Sequence, residues 1–144
     1  DSKLNTADVT FVSTVIGTTI HVYKNCTWDI PLTVGAIAAD DELYFSVKSS
    51  DGDTDANALI RVSRTTGLVW YNKAVADTAS NAAFTILDAG LGTIQIKIKA
   101  VVSSILTARF GYCWDLKRIT SGGDADELKR GILNMSSSVT GVLP

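Results

Sequence analysis

Over residues 93–99 the chain alternates strictly, with Ile94, Ile96 and Ile98 apolar and Gln95, Lys97 and Lys99 polar. Successive side chains of a strand point to opposite faces, so this run predicts a strand with one face on a core and the other in water. Leu43, Phe45 and Val47 alternate in the same way with Tyr44, Ser46 and Lys48, and Ala58, Ile60 and Val62 with Leu59, Arg61 and Ser63. These are two further strands, and the polar run 49–55 between them is a solvated loop.

Upstream, residues 18–23 and 27–34 predict a strand pair joined through Lys24-Asn25, with Trp28, Ile30 and Leu32 on one face. Pro31 has no N–H to give to a ladder, which places the second of these strands at a sheet edge or at a bend. Downstream, residues 67–71 and 84–87 are short strands separated by linkers with room for a helical turn. Residues 109–140 predict an edge hairpin. Tyr112 and Trp114 share one face, Cys113 and Asp115 the other, Ser121-Gly122-Gly123-Asp124 supplies the turn, and the returning strand runs from Gly131 to Val139-Thr140. Residues 101–108 are apolar without a period and read as a strand continuation or as an exposed loop that packs on a neighbour.

Strands every 8 to 14 residues, turn signals between them and no amphipathic helix predict an all-β fold, a sandwich of two antiparallel sheets. Residues 1–16 are expected to be an N-terminal arm or an extra strand, and 17–144 a single sandwich domain. At 144 residues the chain is long enough to bury its own core.

Charge removes several functions from consideration. Thirteen basic against fifteen acidic side chains leave a net charge of −2, so no strong field draws in nucleic acid. No apolar run reaches bilayer length, and neither nucleic acid nor membrane is an expected partner.

The candidate chemistry is thin. The sole histidine, His21, alternates within a predicted strand between Ile20 and Val22, and no Gly-x-Ser-x-Gly elbow offers a nucleophile, so no enzymatic activity and no catalytic residue are expected. Acidic pairs such as Asp40, Asp41 and Glu42 read as a solvated turn rather than as glycosidase carboxylates. No Gly-rich phosphate loop is present, and no cofactor is expected. Asp51, Asp53 and Asp55 resemble the first half of a calcium loop, but Val62 stands where the loop needs glutamate, so no metal site is assigned. Cys26 and Cys113 read either as a bridge between two sheets or as buried thiols. Asn25-Cys26-Thr27 and Asn134-Met135-Ser136 match glycosylation acceptors only formally.

From about Trp28 onward the order of signals resembles a β-sandwich module of tailed-bacteriophage virion proteins, known from the N-terminus of the siphophage baseplate upper protein. The matching positions are Phe45-Ser46-Val47-Lys48 with the acidic loop behind it, Ile60-Arg61-Val62, Phe84-Thr85-Ile86 with residues 91–98, residues 112–117, Gly122-Gly123 and residues 131–140. The resemblance implies an immunoglobulin-like β-sandwich with no catalytic residues, docking on other virion proteins as a homo-oligomer, a trimer or a larger ring. The localisation it implies is the virion, assembled in the bacterial cytoplasm. In that family the module is followed by linkers, coiled coils and a host-binding tip, whereas this chain ends at Pro144. The expected role is therefore an adaptor, decoration or connector of tail, baseplate, neck or capsid.

The expected subunit interface is apolar: Phe11, Val12, Val15 and Ile16 in the arm, and Val101, Val102, Ile105 and Leu106 in the patternless segment. The alternative is a carbohydrate-binding module for a host glycan or polysaccharide, with Trp70 or Tyr71 as the stacking platform. Neighbouring strand residues face opposite ways, so only one of that pair can present a ring on a given face.

Overall fold

A computed structural model describes residues 13–50 and 52–137. The described chain forms two sheets. The larger one contains β1 (Thr14–Ile16), β2 (Thr19–Tyr23), β4 (Glu42–Lys48), β5 (Ile60–Ser63), β6 (Gly67–Tyr71), β7 (Ala74–Val75), β10 (Tyr112–Ile119) and β11 (Ala125–Ser136). Its strand order is β1-β2-β11-β10-β4-β5-β6-β7. The smaller sheet is β3 (Trp28–Thr33), β9 (Thr93–Ile98) and β8 (Ala82–Asp88), in the order β3-β9-β8. A single helical turn, α1 (Ala100–Ser103), links β9 to β10.

The alternating runs form their predicted strands because each buries one face between the sheets. Ile94, Ile96 and Ile98 of β9 meet Trp28, Ile30 and Leu32 of β3 in register, and all six are buried. Leu43, Phe45 and Val47 of β4 lie in the same core opposite Leu116 and Trp114 of β10. Pro31 sits on β3, which is an edge strand of the small sheet, as its missing donor requires. The hairpin of β10 and β11 departs from expectation in two respects. It lies in the middle of the large sheet, and its return begins at Ala125. Val139 and Thr140 fall outside the described residues. The strand is central because Ile132–Ser136 of β11 pair in parallel with Thr19–Tyr23 of β2, a partnership between segments more than a hundred residues apart.

The fold is an immunoglobulin-like, predominantly antiparallel β-sandwich. Taking β3, β4, β5, β6, β8, β9, β10 and β11 as strands B, C, C′, C″, D, E, F and G, one sheet reads G-F-C-C′-C″ and the other B-E-D, the variable-type arrangement. A tyrosine corner accompanies it: Tyr112, the first residue of strand F, donates its hydroxyl to the carbonyl of Thr107 at 2.6 Å. Antibody domains place the second cysteine of their inter-sheet bridge two residues after that tyrosine. Here the position holds Trp114, stacked on Phe45 at 5.8 Å between ring centroids. Cys26 precedes β3, Cys113 points to the outer face of the large sheet, and neither forms a disulfide.

Trp114 also fixes where the chain's first third meets its last. Its indole Nε1 donates to the carbonyl of Thr18 at 2.9 Å, and the Ile132 amide donates to the same oxygen at 3.2 Å. Gly131 leaves room for this: a Cβ there would lie 1.9 Å from Thr18 O and 2.8 Å from the indole nitrogen. Gly131→Ala is therefore expected to cost at least about 1–3 kcal/mol, the range for overpacking. Tyr112→Phe, which removes one corner hydrogen bond, is expected to cost about 1 kcal/mol. Denaturant unfolding monitored by tryptophan fluorescence checks both, and a Gly131→Ala variant as stable as the wild type would contradict the packing described.

Candidate functional site

The segment between β9 and β10 lacks a strand period because its first residues follow a helical one. Lys99 is extended, α1 makes one turn, and the Val102 and Ser104 amides donate to the carbonyls of Lys99 and Ala100. Side chains four apart on such a turn share a face. Val102 and Leu106 face inward at 1% and 4% exposure, while Val101 and Ile105 face out at 56% and 49%. Of the four apolar residues predicted here as interface, two are thus core residues. Ser103 fastens the turn by donating its hydroxyl to Cys26 O at 3.1 Å.

The rest of the segment holds an aromatic ring in solvent. Arg109 stacks its guanidinium on the Tyr112 ring at 4.2 Å, donates to the Ser49 carbonyl, and accepts the Met135 amide at its own carbonyl. The Gly111 amide donates to Asn134 Oδ1, with Gly111 at φ +95°, where a side chain is disfavoured. Phe110 is held between these two anchored residues and is 67% exposed. No periodic pattern in the sequence singles out Phe110. Alternation puts Phe110 in phase with the buried Tyr112 and Trp114, but β10 begins only at Tyr112, after Gly111 at positive φ has turned the chain. The same segment borders a cleft of about 320 Å³ whose lining includes Ser49, Leu59, Asn72, Ile105, Arg109 and Tyr112. The outcome is a rigid end of the sandwich bearing Val101, Ile105 and Phe110, and β11 carries the chain to Ser136, opposite Tyr23, at this same end.

The other predicted interface residues lie elsewhere. Phe11 and Val12 fall outside the described residues. Val15 is packed against the core and Ile16 is exposed, both on β1, with Ile16 opposite Thr19 at the start of β2. The 101–110 segment joins the sheet at Met135, opposite Val22 near the far end of β2, so among the described residues Ile16 and this segment lie toward opposite ends of that strand.

Trp70 and Tyr71, the candidate glycan platform, are both half-buried. Trp70 donates its indole N–H to the Ala56 carbonyl at 3.1 Å, and Tyr71 donates its hydroxyl toward the carbonyl of Val101 at 3.3 Å. The two rings thus anchor two loops.

The acidic loop is tied down by charge. Asp55 accepts from Lys48 at 2.8 Å and pairs with Arg61 at 3.1 Å and Lys117 at 3.6 Å, while Lys48 also faces Asp115 at 3.5 Å. Arg61 lies over the Tyr44 ring at 4.3 Å. Burial works to raise the Asp55 pKa, but the Lys48 hydrogen bond and the charges of Arg61, Lys48 and Lys117 outweigh it and hold the carboxyl at about 2. Its oxygens are therefore committed to three cations. Asp53 caps the loop by accepting the Ser50 amide, and Asp51 is outside the described residues. Among the described residues, no group of three His, Cys, Asp or Glu side chains is placed to hold a metal ion. His21 is half-buried on β2, opposite Asn134 of β11. Among the described residues, no helix is long and apolar enough to cross a membrane.

No protein-family model and no curated protein matches the chain. One solved structure, from "Structure-based site-directed photo-crosslinking analyses of multimeric cell-adhesive interactions of VGSC beta subunits", is 14% identical, covers 88% of this chain and 98% of its own, and superposes with a TM-score of 0.38.

A carboxyl whose pKa is lowered by folding stabilises the fold above its unfolded value and loses that contribution as pH falls toward its folded value. Asp55→Asn is expected to lower stability at neutral pH by about 1 kcal/mol, discounted for the exposure of the pair. The difference from wild type should close between pH 3.8 and about 2. Parallel urea titrations across that range check it, and a difference that persists unchanged to pH 2 would contradict the assignment.

Proposed function

We propose that this domain is a non-enzymatic structural subunit of a tailed-bacteriophage virion, an adaptor, decoration or connector that docks on neighbouring virion proteins through the end carrying Val101, Ile105 and Phe110. The virion part of the reading rests on the resemblance of residues 45–48, 60–62, 84–86, 91–98, 112–117, 122–123 and 131–140 to the baseplate module. The docking part rests on one observation: three large apolar side chains stand about half exposed or more within ten residues, on a segment fastened by hydrogen bonds to Cys26, Ser49, Asn134 and Met135.

A rigid apolar knob suits association because ordering it costs little at the moment of binding. Phe110 can enter a pocket on a partner as an aromatic anchor, with Val101 and Ile105 closing water out around it. Arg109 beside the ring is already stacked on Tyr112 and donates to the Ser49 carbonyl, so its position is fixed before docking. Glycan binding through Trp70 and Tyr71 has less behind it, since both rings hold loops in place.

Co-expression with the products of neighbouring virion genes is expected to give a stoichiometric complex that Phe110→Ser and Ile105→Ser each weaken at least about tenfold, the effect of a 1.4 kcal/mol loss. Both positions are exposed, so thermal stability should stay within about 0.5 kcal/mol of wild type. A complex indifferent to both changes, or specific glycan retention lost on Trp70→Ala, would overturn the proposal.

A further inference from the structure

Sheet edges that carry unpaired N–H and C=O groups recruit further strands unless something blunts them. Most open edges here are blunted. β3 carries Pro31, β7 has two residues and β1 three. Residues 125–130 of β11, beyond the reach of β2, hold Asp126, Glu127, Lys129 and Arg130 next to a bulge. β8 differs. It has seven residues, Ala-Ala-Phe-Thr-Ile-Leu-Asp, with no proline and a single charge at its last position. It ends the small sheet, and among the described residues no strand pairs with its outer side.

The backbone fixes which groups are available. Lys99 donates to the carbonyl of Asn81, and the register carries that alternation forward, so Ala83 and Thr85 bond to β9 while Ala82, Phe84 and Ile86 turn their N–H and C=O outward. At one end Ala82 is not accessible, since its carbonyl oxygen lies only 2.7 Å from where a Cβ on Gly67 would be. At the other end the register breaks between Ile86 and Asp88. The usable edge is therefore Phe84 to Ile86, centred on Thr85.

From this edge we infer a self-association site, on which a second copy of the chain lays its own β8 antiparallel about a two-fold axis through Thr85. The inference does not depend on the virion reading. In this register Phe84 faces the partner copy's Ile86 and Ile86 its Phe84, which exchanges about four backbone hydrogen bonds. Ala83, Thr85 and Leu87, exposed on the outer face, meet Leu87, Thr85 and Ala83 of the other copy, a neutral set with a Thr–Thr pair at its centre. Asp88 falls opposite Ala82, so no like charges meet. The contact joins two three-stranded sheets into one of six strands, and its small size makes it a weak association.

Two measurements decide it. Thr85→Cys should cross-link to its own copy under mild oxidation, because a non-hydrogen-bonded antiparallel pair holds its Cα atoms about 4.5 Å apart, within disulfide reach. Ala83→Cys, on the same face but opposite Leu87 of the partner copy, should cross-link at least about tenfold more slowly, with wild type as the blank for Cys26 and Cys113. In sedimentation, the wild-type mass should rise with concentration toward twice 15.3 kDa, while Thr85→Lys, checked by circular dichroism for an intact fold, should not. Equal cross-linking rates for the two cysteine variants would overturn the inference, as would a wild type that stays monomeric at the highest concentration. Should Thr85→Lys fail to fold, the cross-linking comparison alone decides.

Discussion

The position of Trp114 constrains the rest of this structure. Its ring stacks on Phe45 within the core, and its indole N–H is satisfied by Thr18 O, an oxygen that also takes the amide of Ile132. A buried indole donor left unpaired would be costly, so the tryptophan requires strand β2 to arrive where it does. Gly131 is required in turn, because any side chain there would strike both partners. One aromatic residue thus couples core packing, the parallel β2–β11 pairing and the path of the chain's first third. In disulfide-bridged immunoglobulin domains a cysteine two residues after the corner tyrosine helps join the sheets. Here that place is taken by aromatic packing, which needs no oxidising compartment.

With the sheets joined internally, the loops and edges can serve contacts. Connecting segments of a sandwich gather at its ends, and a scaffold that positions them rigidly is the usual basis of recognition. The 99–111 segment is fastened at several points and still leaves Val101, Ile105 and Phe110 outside, whereas the acidic loop at the other side of the cleft is held down by Asp55 against Lys48, Arg61 and Lys117. The two loops have opposite characters. One covers a charged strip, and the other presents apolar surface.

Much of the fold was readable from periodicity. The alternating runs at 43–48, 58–63 and 93–99 contain strands whose apolar faces are buried as expected, with β5 starting only at Ile60, and Pro31 marked a sheet edge. Local pattern could not place the 125–136 strand at the centre of its sheet, because that depends on pairing with β2, more than a hundred residues away. It also could not divide Val101, Val102, Ile105 and Leu106 between surface and core, since four apolar residues within six positions, only partly helical, carry too short a period to read. Phe110 escaped notice because its phase with Tyr112 and Trp114 points to the core, whereas Gly111 at positive φ ends that alternation before the strand begins. Lys48, Ser46 and Ser63 show a further limit: alternation put them in water, and the fold buries them, Lys48 against Asp55 of the loop.

Hydrogen–deuterium exchange of the domain, alone and with the virion partner proposed for it, is the most direct test, because it reads core and docking surface in one experiment. Amides of residues 43–47, 112–116 and 131–135 are expected to be slow in both states, and new protection on binding is expected to fall on residues 101–111. Protection that leaves 101–111 unchanged and emerges instead around Trp70 and Tyr71 would contradict docking through the apolar end.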